Sequence, residues 1–336
     1  MNRIISYVIL GILISTVMGQ HPSHRPALAY SKGDTVVLAS INDETIKTIK
    51  TPIDIGEFSI SPDLKNLILI PSHPGKYGAK MYLYKVESKE LIQIPKNSIN
   101  AAPGKSGIYS DPQFSPDGSR VLFVAHSQAE GDLVEGSGPL AVLDMKSLHA
   151  TVLQSTSNID GLGPDFANNP KWSPDGKNIL INFEGSMAIT EQDGKSLRDL
   201  SDLPPHISYT KSPFTWNKGI NWIGNNCVFY QAGNDQNMIN QSGMSFFVFN
   251  IKNGENYESA KVLGLTNKEL DGLYSYVYPN AIVMQTKPAD RGYEWRIVGY
   301  ILVTRDGVRS KLKFDGYSTV QLLQRNVVSE LPSECK

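Results

Sequence analysis

The chain has 336 residues, with 32 basic and 33 acidic side chains and a formal net charge of −1. That balance excludes the strongly basic surface of a nucleic-acid binder. Two cysteines, Cys227 and Cys335, are too few for an iron–sulfur cluster or a Cys-rich zinc site, and no Cys-x-x-Cys-His is present for covalent haem.

The N-terminus reads as an export signal. Arg3 supplies a positive start, and Val8–Met18 is an apolar stretch of signal-peptide length, short for a membrane span. Cleavage fits after Gly19, or after the triplet Ala27-Leu28-Ala29. No Cys follows the apolar core, so a lipid anchor is not indicated. Residues 1–29 are therefore expected to be signal and pre-domain segment, and no membrane insertion is expected after cleavage. Thr35–Ser40 (TVVLAS) and Thr45–Lys50 (TIKTIK) then read as two strands.

A repeat follows. It is written FSISPDLKNLILI at Phe58–Ile70, FSPDGSRVLFV at Phe114–Val124 and WSPDGKNILINF at Trp172–Phe183. Proline presets φ at the second turn position, Asp bonds back to the turn backbone, and Gly takes the positive φ that ends it. Asp63, Asp117, Gly118, Asp175 and Gly176 are thus structural turn residues. The apolar run after each turn reads as a buried strand. Recurrence at this spacing is the mark of a propeller or array, because one such hairpin cannot cover its own apolar face.

The expected fold is all-β, a single propeller of four-stranded antiparallel blades over residues 30–330, with 331–336 a C-terminal tail. In the second repeat the strands are Gln113–Phe114, Arg120–Ala125, Leu140–Asp144 and Ala150–Leu153. Two degenerate blades follow. One runs from Phe214 through CVFYQ and SFFVFN to Lys261–Leu265, the other from Tyr274 to Lys311–Phe314. Thr35–Lys50 and Ser318–Val328 would each supply half of a last blade and close the ring. The count is six, with seven still allowed. Cys227 and Cys335 either pair and pin the tail, or Cys227 is a small buried hydrophobe in a strand.

The Ser-Pro-Asp-Gly repeat after an aromatic resembles the WD-like propeller repeat of the TolB family. VVLASINDETIKTI is similar to two strands of YVTN-type propellers. TolB carries an extra N-terminal domain for which this chain has no room, so its function is not implied. In architecture and mass the chain is also similar to the cofactor-free propeller subunit (beta) of anammox hydrazine synthase. That resemblance implies haems on other subunits and a place in the anammoxosome lumen.

Loop lengths are asymmetric. The turns within hairpins are tight, whereas long connections fall at Pro71–Lys80, Pro95–Asp111, His126–Pro139, Ser155–Asn169, Asp202–Pro213, Ala232–Gly243 and Lys287–Glu294. Long loops on a rigid scaffold are where binding concentrates. Candidate partner-binding residues on that face are His73, Tyr77, Tyr109, His126, Asp132, Asp165, His206, Tyr209, Asp235, Arg291 and Tyr293; tolerated surface insertion is the alternative. Catalytic signals are weak. There is no Gly-x-Ser-x-Gly elbow, and Gly104-Lys105-Ser106 and Gly194-Lys195-Ser196 lack the upstream Gly of a phosphate loop. Glu130, Asp132 and Glu135 lack calcium-loop order, and Trp172, Trp216, Trp222 and Trp295 suit core packing.

The reading is an exported, non-catalytic propeller without metal or cofactor, in the periplasm or the lumen of an internal compartment. It would act as an interaction module or structural subunit bound to other protein subunits. One alternative is a metal-dependent lactonase- or lyase-like enzyme using His73, His126 and His206. Another is a TolB-like envelope or saccharide-binding protein.

Overall fold

The computed structural model describes residues 28–40, 45–72, 80–95, 108–126, 139–153, 168–183, 186–200, 221–232, 245–258, 265–266, 273–277, 280–288, 295–303, 309–312, 320–322 and 335. Among them the strands form six four-stranded antiparallel sheets, and no α-helix. The second sheet is β4 (Ile55–Ile60), β5 (Asn66–Pro71), β6 (Tyr82–Lys85) and β7 (Glu90–Gln93), and the third is β8 (Ile108–Phe114), β9 (Arg120–His126), β10 (Leu140–Asp144) and β11 (His149–Val152). The fourth is β12 (Asn168–Trp172), β13 (Asn178–Phe183), β14 (Ser186–Glu191) and β15 (Leu197–Asp199). The fifth is β16 (Asn221–Ile223), β17 (Cys227–Ala232), β18 (Ser245–Asn250) and β19 (Asn256–Glu258), and the sixth is β20 (Leu273–Val277), β21 (Asn280–Pro288), β22 (Trp295–Val303) and β23 (Arg309–Leu312).

The first sheet joins the two ends of the chain. Its order is β24 (Val320–Leu322), β1 (Leu28–Lys32), β2 (Thr35–Ala39) and β3 (Thr45–Lys50), with Leu28, Ala29 and Tyr30 opposite Leu322, Gln321 and Val320. The leading strands touch in sequence, β4 to β8, β12, β16, β20 and β24. They are the inner strands of the assembly.

Three sequence expectations are corrected. The first sheet divides three strands to one rather than two to two, because Leu28–Lys32 is already paired on both sides. A domain start at residue 30, or cleavage after Ala29, would therefore cut into β1. The inner strand of the fifth sheet is Asn221–Ile223 and its outer strand is Asn256–Glu258, so both ends differ from the expected bounds, of which Phe214 and 261–264 lie outside the described residues. The tight Gly224-Asn225-Asn226 turn replaces Ser-Pro-Asp-Gly there, so the repeat signal was absent.

Alternation explains why the second strand of each repeat is apolar throughout. In β5, Leu67 and Leu69 pack with Ala29, Val36 and Leu38 of the first sheet, while Ile68 turns to the third. In β9, Val121 and Phe123 face the second sheet, and Leu122 and Val124 face Trp172, Ile179 and Ile181 of the fourth. Leu180 of β13 meets Trp222, Val228, Tyr230 and Phe249 of the fifth. Both faces of the strand are buried, so neither position can be polar.

Each Ser-Pro-Asp turn is knotted by its serine. Ser61, Ser115 and Ser173 are buried. Their Oγ donates to Asp63, Asp117 and Asp175 Oδ1 at 2.6, 2.6 and 2.7 Å. The same Oγ accepts from Asn66, Arg120 and Asn178 N at 2.9, 3.0 and 2.9 Å. The Asp Oδ1 then accepts the N–H of Lys65, Ser119 and Lys177. Gly118 and Gly176 take φ of 73° and 71°; Leu64 holds 61° without a glycine. Neighbouring turns also meet. A Cβ on Gly118 would lie 3.4 Å from Pro62 and one on Gly176 3.5 Å from Pro116, and Asp175 N donates to Asn225 Oδ1 at 2.9 Å. Partial burial pushes the Asp117 carboxyl up, but hydrogen bonds from Ser115 and Ser119, with the Arg120 charge, outweigh it and hold the pKa below the usual value.

Cys227 and Cys335 form a disulfide with Cα atoms 5.3 Å apart, across 108 residues of sequence, and both are fully buried. Cys227 is thus both strand hydrophobe and half of the pin, and Asn226 Nδ2 donates to Cys335 O at 3.4 Å beside it.

Two expectations follow for stability. Ser115→Ala or Ser173→Ala should cost about 1–3 kcal/mol, because a buried N–H and a carboxylate each lose their partner, while exposed-side Asp117→Ala should cost about 1 kcal/mol. Equal losses in urea unfolding would show that the serine is not the centre of the turn. Cys335→Ser should cost about 2–5 kcal/mol, since the bridge closes a long loop. An unfolding midpoint unmoved by the substitution would mean the bridge is not formed.

Candidate functional site

Strand bounds place the tight turns at one end of the second to fifth sheets. Those are 61–65, 86–89, 115–119, 145–148, 173–177, 192–196, 224–226 and 251–255. The longer connections of the second to sixth sheets leave from the other end, except the two-residue link between β13 and β14. The first sheet differs. Its β1–β2 link is only Gly33-Asp34, and Thr51–Asp54 leads directly into β4, with Thr51 N donating to Asp34 O at 2.7 Å and Ile55 N to Gly33 O at 3.0 Å.

Of the residues expected on the long-loop face, His73, Tyr77, Asp132, Asp165, His206, Tyr209, Asp235, Arg291 and Tyr293 lie outside the described residues. His126 is the last residue of β9, opposite Ile108. Tyr109 is corrected. It sits in β8, 8% exposed, edge-on to Phe123 with ring centroids 5.6 Å apart, and burial raises its phenol pKa. Alternation along β8 aims it into the core between the second and third sheets, so it offers no surface to a partner. The groups of Asp63, Asp117, Gly118, Asp175 and Gly176 are those of the turns described above. Among the described residues no three His, Cys, Asp or Glu side chains are grouped as metal ligands. Trp172 and Trp222 are buried, their indole N–H groups donating to Gln113 O at 3.2 Å and Lys171 O at 3.0 Å of the preceding sheet.

A second constellation lies on the inner strands. β4, β8, β12 and β20 each shift register at one place: at Gly56, at Asp111-Pro112, at Asn169-Pro170 and at Tyr274. These are β-bulges, which bend a strand and re-aim its side chains. Gly56 has no room for a side chain, since a Cβ there would stand 2.9 Å from Ser72 Cα. Asp111 has φ of 52°, in the left-handed region. Its N–H donates to Glu57 Oε2 of the preceding sheet at 2.7 Å, and Ser110 Oγ reaches Asp111 Oδ2 at 3.4 Å. Lys171, from the next inner strand, feels the Asp111 charge. The second, third and fourth sheets thus contribute Glu57, Asp111 and Lys171 to one charged cluster.

Solvent is partly stripped from it. Burial, then the Asp111 charge, raises the Glu57 pKa to about 7 against the backbone hydrogen bond that lowers it. Burial lowers that of Lys171, against the pull of Asp111. Both residues are half-buried.

Sequence reading missed this cluster. Polar residues on a strand look like its solvated side, and bulges break the alternation that would mark them. One signal was present: Pro112 and Pro170 stand at matching places before Phe114 and Trp172, and proline inside a strand marks an edge or a bulge.

No protein-family model matches the chain, and no curated protein matches it. Solved structures do. Oligogalacturonate lyase from Vibrio parahaemolyticus is 12% identical with a TM-score of 0.52, the match covering 82% of this chain and 70% of that one. A chain of a nidogen/laminin complex is 11% identical with a TM-score of 0.50, covering 89% and 99%. Kuenenia stuttgartiensis hydrazine synthase is 14% identical with a TM-score of 0.40, covering 78% and 66%. At such identities the likeness is one of fold. The chain is a β-propeller, and among these neighbours the same scaffold serves a lyase and a chain of a protein complex, so the fold alone selects neither.

The Glu57 environment has a consequence in pH. Its folded pKa lies above the ordinary 4.5, so the folded state holds this proton more tightly than the unfolded chain. Its contribution to stability is complete below pH 4.5 and is lost as pH rises to about 7, on the order of 3 kcal/mol. Glu57→Gln keeps an acceptor for Asp111 N and never ionises. It should match the parent near pH 4.5 and exceed it in unfolding free energy at about pH 8. Parallel stability profiles for the two proteins would show that Glu57 is not desolvated.

Proposed function

We propose that this protein is an exported, non-catalytic β-propeller that serves as an interaction module or structural subunit of a multi-protein complex. It docks through the face that carries the long connections. The observation behind this reading is the division of the two ends of the sheets. At one end, short turns are tied by buried serines and pack turn against turn, leaving compact polar knots. At the other, connections of about a dozen residues or more recur from sheet to sheet, and such insertions on a rigid scaffold are where recognition concentrates. The buried disulfide suits an oxidising compartment outside the cytoplasm, in keeping with the signal-like N-terminus.

The specific form of the proposal is a subunit of a multi-subunit redox enzyme such as hydrazine synthase, in which cofactors belong to other chains and this one holds them in place. It rests on the resemblance in architecture and mass. Native mass spectrometry of the protein isolated from its own organism, with metal and haem analysis of the same peak, tests it. The expected result is one large assembly in which this chain carries no cofactor of its own, with an interface well above crystal-contact size. A metal-loaded monomer would overturn the reading.

A further inference from the structure

We propose that the inner-strand cluster of Glu57, Asp111 and Lys171 is a binding site for a small zwitterion of amino-acid size. Its anionic end meets Lys171, and its cationic end meets Asp111 and Glu57. This goes beyond docking through the loops, since it concerns the inner strands and a ligand rather than a protein partner.

Four observations carry it. Three successive sheets each supply one charged residue at or beside a bulge of their inner strands, and the Glu57–Asp111 hydrogen bond joins the first two. Such coincidence is costly unless the aimed groups are used. Secondly, Lys171 has no hydrogen bond or ion pair to its ammonium group among the described residues; outside the strand ladder, its carbonyl accepts from the Trp222 indole N–H. A desolvated ammonium left without an acceptor is expensive, and a native structure that keeps one calls for an explanation. Thirdly, Asp111 is held at φ 52° with its N–H tied to Glu57 Oε2 at 2.7 Å, so its backbone is locked to the preceding sheet. A non-glycine residue kept in that region is worth reading as functional. Fourthly, Glu57, Asp111 and Lys171 are each half-buried rather than sealed in the core.

The charge pattern selects the ligand. A simple anion drawn to Lys171 would meet two carboxyl groups, and a simple cation drawn to those would meet the lysine. A metal ion would find only two oxygen donors beside a positive charge. A molecule with separated opposite charges satisfies both sides at once.

The test uses the full-length mature protein and three probes of increasing charge separation, glycine, β-alanine and 4-aminobutyrate, with acetate and ethylammonium as half-ligand controls. Isothermal titration should give a dissociation constant of about 1 mM or tighter for at least one zwitterion, and at least about tenfold weaker binding for both controls. Lys171→Met keeps the aliphatic stem, and Asp111→Asn keeps a residue that tolerates the left-handed backbone. Each should weaken binding by about tenfold or more while the circular dichroism spectrum stays that of the parent. Failure of all three zwitterions to bind, binding equal to the controls, or unchanged affinity in both folded variants would each overturn the proposal. Loss of the larger assembly would leave it standing, because these measurements do not involve the loop face.

Discussion

Burial of both faces of the second strand, seen in β5, β9 and β13, is the constraint on which the rest depends. A strand such as RVLFVAH or NLILIP gives alternate side chains to two different neighbouring sheets. Each of these sheets is then half of two cores and complete in none, so no repeat is stable alone. The clusters joining the first to second, second to third, third to fourth and fourth to fifth sheets are the same interaction repeated with different residues. Joining β24 to β1 puts the chain ends in one sheet, and the Cys227–Cys335 bridge ties the residues beyond β24 to the fifth.

That packing explains why the inner strands have latitude that the second strands lack. An inner strand has hydrogen-bonded partners on one side only, so a bulge or a proline costs it no ladder bond on the other. The core side chain before each turn, Ile60, Phe114, Trp172 and Trp222, is held by the inter-sheet core. Residues upstream of it are free to bend and carry charge. The polar residue just before that core position makes the cross-sheet bonds: Ser59 Oγ accepts from Phe114 N at 3.1 Å, and Gln113 Oε1 from Trp172 N at 3.0 Å. Beyond it come Glu57, which burial desolvates, and the half-buried Asp111. The molecule therefore has two differently built places for function. One comprises the long connections carried on rigid strands, the other a small charged cluster set by bulges.

How much of this could be read beforehand differs by element. The third sheet was legible almost to the residue, because its turn, aromatic and apolar run obey local rules that need no knowledge of neighbours. The fifth sheet was misplaced at both ends, since the Gly224 turn does the work of Ser-Pro-Asp-Gly without its letters. Tyr109 was misread because a loop-adjacent tyrosine gives no sign of which way its strand turns. Glu57 and Lys171 were passed over because a lone Glu or Lys on a strand has a solvated face as its ordinary explanation.

The amino-acid sequence by itself determined the all-β architecture, the period, the turn chemistry of Asp63, Asp117 and Asp175, and the burial of the strands that follow. All of these rest on dihedral preferences and alternation within about a dozen residues. Only the tertiary structure decided that Leu28–Lys32 pairs with the last strand, that Cys227 meets Cys335, and that Glu57, Asp111 and Lys171 share one place. Each of these joins residues more than 50 positions apart. Proximity at such separations is created by the packing of sheets, and no local preference encodes it.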